Sequence, residues 1–504
     1  MITILVTVAS FFSPFSISSY FPAMILIEKD LHISSQQMYF TITVYMIFQA
    51  IAPSFWSHWA DSHGRRPVYL ITLLLYILSN IGLAKADSYA MLLCFRILQA
   101  FGASSVIGIG AGTIADITTP EERGSYQGWY SLGFTLGPAI GPAMGGLISR
   151  YLGWRCIFWS LSISCMLHWL LLVFFLPETL RTRVGDGSGY ANPTPVQWWR
   201  YRRQKQERYQ QEVKVELDMD KKKDTVTGTC TLFFDRMDDS DTFSRPLWKR
   251  CLDIFFEPLS YIKYNDVLML VFFYALQYAA NYTVITMIPP ILSDNGYNLD
   301  TWTIGLTYLA NGCGCLIGSI LQGYILNYDY YRYNKTNTSS LPISPNSLPE
   351  TVTETSYPFL ERARLHWVWP NALIFNVVLV VYGWCVDVRT PLPFLLTAQV
   401  IMGFTSQSVF NSIQTLLIDL FPQRTASINA CNNIFRCFIG ASATLMIDPT
   451  TRILGYGWTY TMVSGILFGS RLFLLVEMKY GPRWRQDRNH QALISNDEMK
   501  KQFQ

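Results

Sequence analysis

Twelve apolar runs, each about as long as a bilayer is thick, decide what this chain can fold into. They lie near 3–27, 38–58, 68–86, 89–115, 124–149, 154–176, 266–292, 302–326, 366–386, 392–420, 424–447 and 455–477. A helix needs roughly 20 apolar residues to cross the hydrocarbon core, and inside that core each backbone polar group must be satisfied within its own segment. Twelve such runs in 504 residues predict an all-α membrane protein with twelve transmembrane helices. The charged residues agree: they make up 15% of the chain, against about 25% in soluble domains. The first run has no basic leader and no small-residue cleavage site, so it is expected to be span 1 and not a signal peptide.

Lysine and arginine set the expected orientation. With both termini cytoplasmic, 30 of the 39 basic residues fall on the cytoplasmic side. The outer loops hold Lys29, Lys85, Arg150, Arg155, Arg389 and Arg452, and the spans hold Arg96, Arg436 and Arg471. The net charge of +4 then reflects sidedness, not nucleic-acid binding. The ten cysteines are scattered, with Cys313 and Cys315 the only close pair. They suggest packing, with no disulfide framework and no zinc spacing, so no metal or cofactor is expected.

The runs divide six and six. Expected are an N-terminal six-helix bundle (1–177), a largely disordered cytoplasmic linker (178–263), a C-terminal six-helix bundle (264–478) and a cytoplasmic tail (479–504). The linker is charge-mixed ("WWRYRRQKQERYQQEVKVELDMDKKKD") and too poor in apolar residues for a core. Its end, "LWKRCLDIFFEPLSYIKY", is amphipathic enough to lie along a membrane. The halves share a faint pattern: Asp116, Pro120 and Arg123 after span 4 match Asp419, Pro422 and Arg424 after span 10. Parallel six-helix repeats leave such traces, and transporters built this way hold substrate between the halves near the midplane.

Three stretches carry chemistry. "SHWADSHGRRPVY" between spans 2 and 3 holds Asp61, Gly64, Arg65 and Arg66. Gly64 permits the turn, and Arg65 is placed to pair with Asp116. Contacts that exist in one conformation only would make this loop a latch; an ordinary positive-inside loop is the plainer alternative. "LLCFRILQAFGASS" puts Arg96 inside span 4, at a cost of about 2.5–3.5 kcal/mol unless it meets a partner or a polar cavity. "GFTLGPAIGPAMGG" places Gly133, Gly137, Gly141 and Gly145 on one helix face, with Gly146 beside them. That face admits a neighbouring backbone, and Pro138 and Pro142 remove helix hydrogen bonds, as a hinge between halves requires.

These stretches resemble the major facilitator superfamily. The first is similar to its Gly-x-x-x-Asp-x-x-Gly-Arg-Arg motif, with Ser57 replacing the first glycine and Ser62 a common basic residue. The second resembles Arg-x-x-Gln-Gly, with Ala100 replacing the last glycine; the resemblance implies a role for Arg96 in proton coupling. The third resembles the "antiporter" motif of efflux members, Gly-x-x-x-Gly-Pro-x-x-Gly-Gly. "GYILNYDYYRYN", "LERARLHW", "TLLIDLFPQRTASINACNNIFRCFIGA" and "KYGPRWR" look like fungal twelve-span drug:proton antiporters, the quinidine-resistance group and its dityrosine-exporter relatives. The resemblance covers both bundles and not the linker.

No carboxylate sits mid-span. His168 does, in span 6, where packing is the plainer role. A relay of Asp61, Asp116 and Arg96 is therefore the expected proton path. Tyr20, Gln49, Gln99, Gln277, Asn281, Asn311, Gln407, Asn411, Asn433 and Arg436 are the expected substrate contacts, since uncharged amides both donate and accept hydrogen bonds. The expectation is a monomeric plasma-membrane exporter of amphipathic drugs or related metabolites. Its partners are protons, a small-molecule substrate and lipid, with no nucleic acid. An uptake symporter or facilitator on the same fold, or a non-transporting sensor, remains open. A membrane enzyme lacks its motifs: there is no His-Glu-x-x-His, no Gly-x-Ser-x-Gly and no midplane Asp pair.

Overall fold

The computed structural model describes residues 1–118, 123–185, 192–203, 258–294, 297–338, 360–421 and 425–502. Among them the regular structure is helical. In the first half, span 1 is α1 (Ile2–Ser18) and α2 (Met24–Leu31), joined through a 3₁₀ turn at Phe21–Ala23. Then come α3 (Ser35–His63) and α4 (Arg65–Ala84). Span 4 is α5 (Tyr89–Ala103) and α6 (Ser105–Ile117). At the break Ser104 Oγ donates to the Ala100 carbonyl at 2.5 Å, a bond that competes with the helix ladder. α7 (Arg123–Leu152) and α8 (Arg155–Phe175) complete this half, and the short α9 (Arg181–Val184) follows. The second half holds α10 (Asn265–Asp294), α11 (Thr301–Thr338), the short α12 (Leu360–Leu365), α13 (Val368–Asp387), α14 (Leu392–Leu420) and α15 (Thr425–Gln502).

Local chemistry fixes several boundaries. Ser34 and Gln37 cap α3 reciprocally: Gln37 N donates to Ser34 Oγ at 3.3 Å, and Ser34 N donates to Gln37 Oε1 at 2.9 Å, a capping box. Ser88 Oγ accepts from Met91 N at 3.3 Å and starts α5. α15 breaks at Gly455 (φ 77°, ψ 170°), which splits it into two spans. Ten helical stretches are long and apolar enough to cross a membrane. Dividing the last at Gly455 and adding the glycine- and proline-rich α7, about 45 Å long at 1.5 Å per residue, gives twelve, one for each apolar run.

The two halves meet unevenly. One core joins them, packing Tyr39, Ile42 and Met46 of α3 with Val284, Met287 and Ile288 of α10 and Tyr308 of α11. Two further cores do not cross. One packs Val6, Phe12, Trp56, Val68 and Tyr76 within the first half; the other packs Tyr261, Leu270, Leu416 and Ile428 within the second. The separate cores lie at the end of the bundle that carries the Asp61–Arg66 turn and Arg364, called here the basic end. The shared core lies at the opposite end, where Arg150 Nη1 and Asp300 Oδ1 bridge the halves at 2.9 Å. Among the described residues the halves thus share an apolar core at the opposite end and bury their apolar residues separately at the basic end.

The glycines of α7 explain how close that joint is. A Cβ on Gly133, Gly137, Gly141 or Gly145 would strike α1 or the turn after it: Thr7 O, Phe15 N, Ser18 Cβ and Ser19 O respectively. The neighbouring face of α7 meets the other half. A Cβ on Gly146 would strike the Thr301 carbonyl, one on Gly305 the Pro142 carbonyl, and one on Gly312 would lie 2.7 Å from Ala139 Cβ. Small residues on both faces let α7 pack backbone to backbone with both halves. Pro138 and Pro142 sit inside an unbroken helix.

Of the expected linker, 186–191 and 204–257 lie outside the described residues, as do Pro120, Pro422 and Arg424. Residues 178–185 and 192–194, expected within the disordered linker, instead pack onto the first half, and 195–203 continue exposed. The expected tail continues α15 to Gln502, and its first turns pack back on the second half through Arg485 and Arg488.

Overpacking a filled site costs about 1–3 kcal/mol. Gly145→Val is expected to lower the thermal unfolding midpoint and the monodisperse yield. Gly465→Ala, whose Cβ would meet nothing within 4 Å, is expected to stay within about 0.5 kcal/mol of the parent. Equal behaviour of the two variants would contradict the backbone-to-backbone joint.

Candidate functional site

At the basic end the turn between α3 and α4 is built around Gly64, at φ 109°. A Cβ there would lie 2.8 Å from Glu178 Cδ, so glycine is required by both conformation and space. Arg65 holds two carboxylates: Nη1 to Asp61 Oδ1 at 2.7 Å and Nε to Asp116 Oδ2 at 3.0 Å. Its backbone N–H donates to Glu178 Oε1 at 2.7 Å. Arg66 donates to the carbonyls of Val173, Asn192 and Pro193 at 2.8–3.1 Å. Arg181 donates to the Asp116 and Thr118 carbonyls, and Arg183 to the Ser62 carbonyl. The latch residues Asp61, Gly64, Arg65, Arg66 and Asp116 therefore do come together. The sequence reading missed their organiser. Glu178, buried and directly after span 6, also accepts from Thr179 N, Leu180 N and Asn192 Nδ2.

The second half repeats the device. Arg364, ahead of α13, pairs with Asp419 at the end of α14 at 2.9 Å and donates to the Leu326 carbonyl. The chain separation is 55 residues for this pair and 51 for Arg65–Asp116, so the faint Asp116/Asp419 match marks a structural repeat. Behind it Glu361 is buried 3.4 Å from Arg485, and Asp266 pairs with Arg488 at 2.5 Å. Neither pair was read from sequence: the partners are 124 and 222 residues apart along the chain, and no local pattern links them.

Of the three arginines within the spans, Arg471 lies against the Phe468 ring, 5.1 Å from its centre, and the other two sit in polar clusters. Arg96 is fully buried, so it does not snorkel to the interface. Its guanidinium lies 3.4 Å from the centre of the Tyr20 ring, a cation–π contact. Nη1 donates to Gln99 Oε1 at 2.7 Å, and Gln99 Nε2 donates to Asn80 Oδ1 at 2.8 Å. Nε and Nη2 have no acceptor among the described residues. Arg436 in α15 donates to Asn433 Oδ1 at 2.8 Å and lies 5.0 Å from the Tyr278 ring centre. Asn433 Nδ2 reaches across the halves to the Gln49 carbonyl at 3.1 Å.

The remaining candidates divide. Tyr20, Gln99, Asn433 and Arg436 belong to these two clusters. Gln277 and Asn281 are buried on α10, each with one unpaired amide atom, as is Gln49 on α3. Asn311 donates to the Gln399 carbonyl, and Gln407 donates to Asn411, which donates to Ser319; these are bonds within the second half. His168 is buried against Phe12. The relay is corrected by distance. Arg96 precedes Asp116 by about 30 Å of helix, so the structure brings Asp61 and Asp116 together and leaves Arg96 apart.

Two halves that share one core, each with an arginine–carboxylate turn at the same end, give the two-bundle architecture of a membrane transporter. A family profile described as Major Facilitator Superfamily matches residues 6–445, and the chain belongs to that family. It is 34% identical over 484 residues to Citrate exporter 1 of Aspergillus niger, covering 96% of this chain and 86% of that one. It is 32% identical over 492 residues to Quinidine resistance protein 1 of Saccharomyces cerevisiae, covering 95% and 82%. Among solved structures it is similar to the human organic anion transporter MFSD10, with TM-score 0.59, 14% identity and coverage of 94% and 98%. It is also similar to the E. coli xylose transporter XylE in a partially occluded inward open conformation, with TM-score 0.60, 13% identity and coverage of 95% and 97%.

Burial pushes the Glu361 carboxyl above its ordinary value, with Arg485 pulling the other way. The folded chain then keeps a proton there at pH values where the unfolded chain has released it. Its contribution to stability is present at low pH and is lost as pH rises through the raised value. Glu361→Gln is expected to flatten the fall of the unfolding midpoint as pH rises above the ordinary carboxylate range. An unchanged slope would contradict this reading.

Proposed function

We propose that the chain is a proton-coupled antiporter that exports small metabolites or amphipathic drugs across the plasma membrane, working as a monomer with both termini cytoplasmic. The observation that carries this is the uneven joint: one core across the halves at the opposite end, two separate cores at the basic end. With the arginine-rich end inside, as the basic residues favour, this is the state that loads substrate from the cytoplasm. The relatives supply the direction, one being named a citrate exporter and another a quinidine-resistance protein.

In this reading Arg65 is the latch. It spans two carboxylates, one of them exposed on α3, so a proton on Asp61 or Asp116 removes half of its ion pairing and frees the turn. Arg96 contributes fixed charge and not a titrating group, because guanidinium keeps its proton. The glycine–proline helix α7 lies against both halves and serves as the bearing. An inward proton gains about 2.3 kcal/mol per 100 mV, enough to drive a neutral substrate outward.

Purified protein in liposomes holding a pH-sensitive dye tests this, with quinidine and citrate as probes. Addition of a transported probe is expected to move protons in the opposite direction. Asp116→Asn and Arg96→Ala are expected to weaken that coupling roughly 5- to 150-fold, the usual range of a coupling free energy. Probe flux without proton movement would replace the antiporter with a facilitator.

A further inference from the structure

Two arginines on the membrane-spanning helices, Arg96 and Arg436, have no acid paired with them among the described residues. Five acids of the two halves are engaged in ion pairs toward the basic end: Asp61 and Asp116 with Arg65, Asp419 with Arg364, Asp266 with Arg488, and Glu361 with Arg485; Glu477, buried on α15, lies among the last of these. Arg96 and Arg436 belong to none of these pairs. Arg436 stands about 16 Å from the start of α15, close to the midpoint of a hydrocarbon core about 30 Å thick.

Arg436 is also presented to the right surface. On α15 the positions 433, 436, 440 and 444 follow one face, and that face meets the first half. Asn433 bonds the Gln49 carbonyl, Met46 reaches Gly440, and Thr444 bonds Met46 Sδ. Arg436 is half-buried, its Nε has no acceptor among the described residues, and the side chains it meets, Asn433, Tyr274 and Cys437, carry no carboxylate. Aromatic rings wall it in: Tyr278 beneath the guanidinium, Tyr282 stacked 4.8 Å from Tyr278, and Phe410 4.9 Å from Tyr274. Phe21 of the first half meets Tyr282 edge-on, which continues the wall toward Tyr20 and Arg96. A planar guanidinium with a free edge, held in a dry aromatic wall, matches a planar carboxylate. It opposes a cation, which would meet two guanidinium groups and no acid.

We propose that the transported species is a small organic anion, and that Arg436 binds one of its carboxylates at the interface of the halves, with Asn433 donating beside it. This rests on the export reading above and names the substrate class of the same central site. It also fits that direction: an anion leaving a cell whose interior is electrically negative moves down the potential.

Equilibrium binding tests it without any gradient, so a failure of proton coupling and a failure of this proposal are separate results. The probe is radiolabelled citrate on the full chain in nanodiscs, competed by succinate, inorganic phosphate and quinidine. Citrate is expected to bind saturably, to be displaced by succinate, and to resist phosphate and quinidine. Arg436→Gln is expected to weaken it roughly 30-fold or more, as loss of one partner of a buried charge pair does, and Arg436→Lys is expected to recover part of that loss. Asn433→Asp, which gives Arg436 an internal carboxylate, is expected to weaken citrate as well, so the test survives a poorly folded Arg436→Gln. The proposal is overturned if neither citrate nor succinate binds, if quinidine or phosphate displaces citrate as well as succinate does, or if folded Arg436→Gln binds citrate like the parent.

Discussion

The rest of the structure hangs on the single apolar core that crosses between the halves. Hydrophobic burial has no direction, so two six-helix units could in principle weld along their whole length. Here the crossing core stops short of the basic end, and there each unit buries its apolar residues for itself. α7 makes this possible. Its glycines admit α1 on one face and α11 on the other, so the units touch through backbone and small atoms. Along α7 this contact has few interlocking side chains; the large ones, Tyr39, Met287 and Tyr308, belong to the crossing core beside it.

Charge follows the same division. Ends of helices carry the paired ions, where Arg65 and Arg364 tie each half's third helix to its fourth. Within the spans Arg96 and Arg436 stand without an acid paired to them among the described residues. Ion pairs at the ends cost little, being close to water, and they hold each half rigid while the halves move. Unpaired arginine in the interior is costly and is rational only where something anionic visits.

Much of this was legible from residues. Twelve apolar runs gave twelve helices because bilayer thickness leaves little freedom. The Asp61–Arg65–Asp116 contact was legible because a motif at one helix end and an acid at another must meet once the helices are antiparallel neighbours. The four-residue glycine period told which face would touch a neighbour. Glu178 was missed because its role depends on a chain reversal after span 6 that no periodicity marks. Arg96 was drawn into the wrong cluster because type and membrane depth were visible and axial distance was not weighed. The start of the polar segment after span 6 was expected to be loose. It is held through Asn192 and Pro193, whose backbone carbonyls serve Arg66, a use of backbone that composition does not reveal.

The central claim is that the halves rock about a joint at the end away from the arginine-rich turns. Spin-label distances in lipid nanodiscs test it most directly, with one pair across the basic end (Ser62 and Arg362) and one across the opposite end (Asp87 and Val388), read together as pH falls from mildly alkaline to mildly acidic. The account predicts opposed changes: the Ser62–Arg362 distance shortens in the same population in which Asp87–Val388 lengthens. Distances that stay fixed at both ends, or that lengthen together, would contradict it.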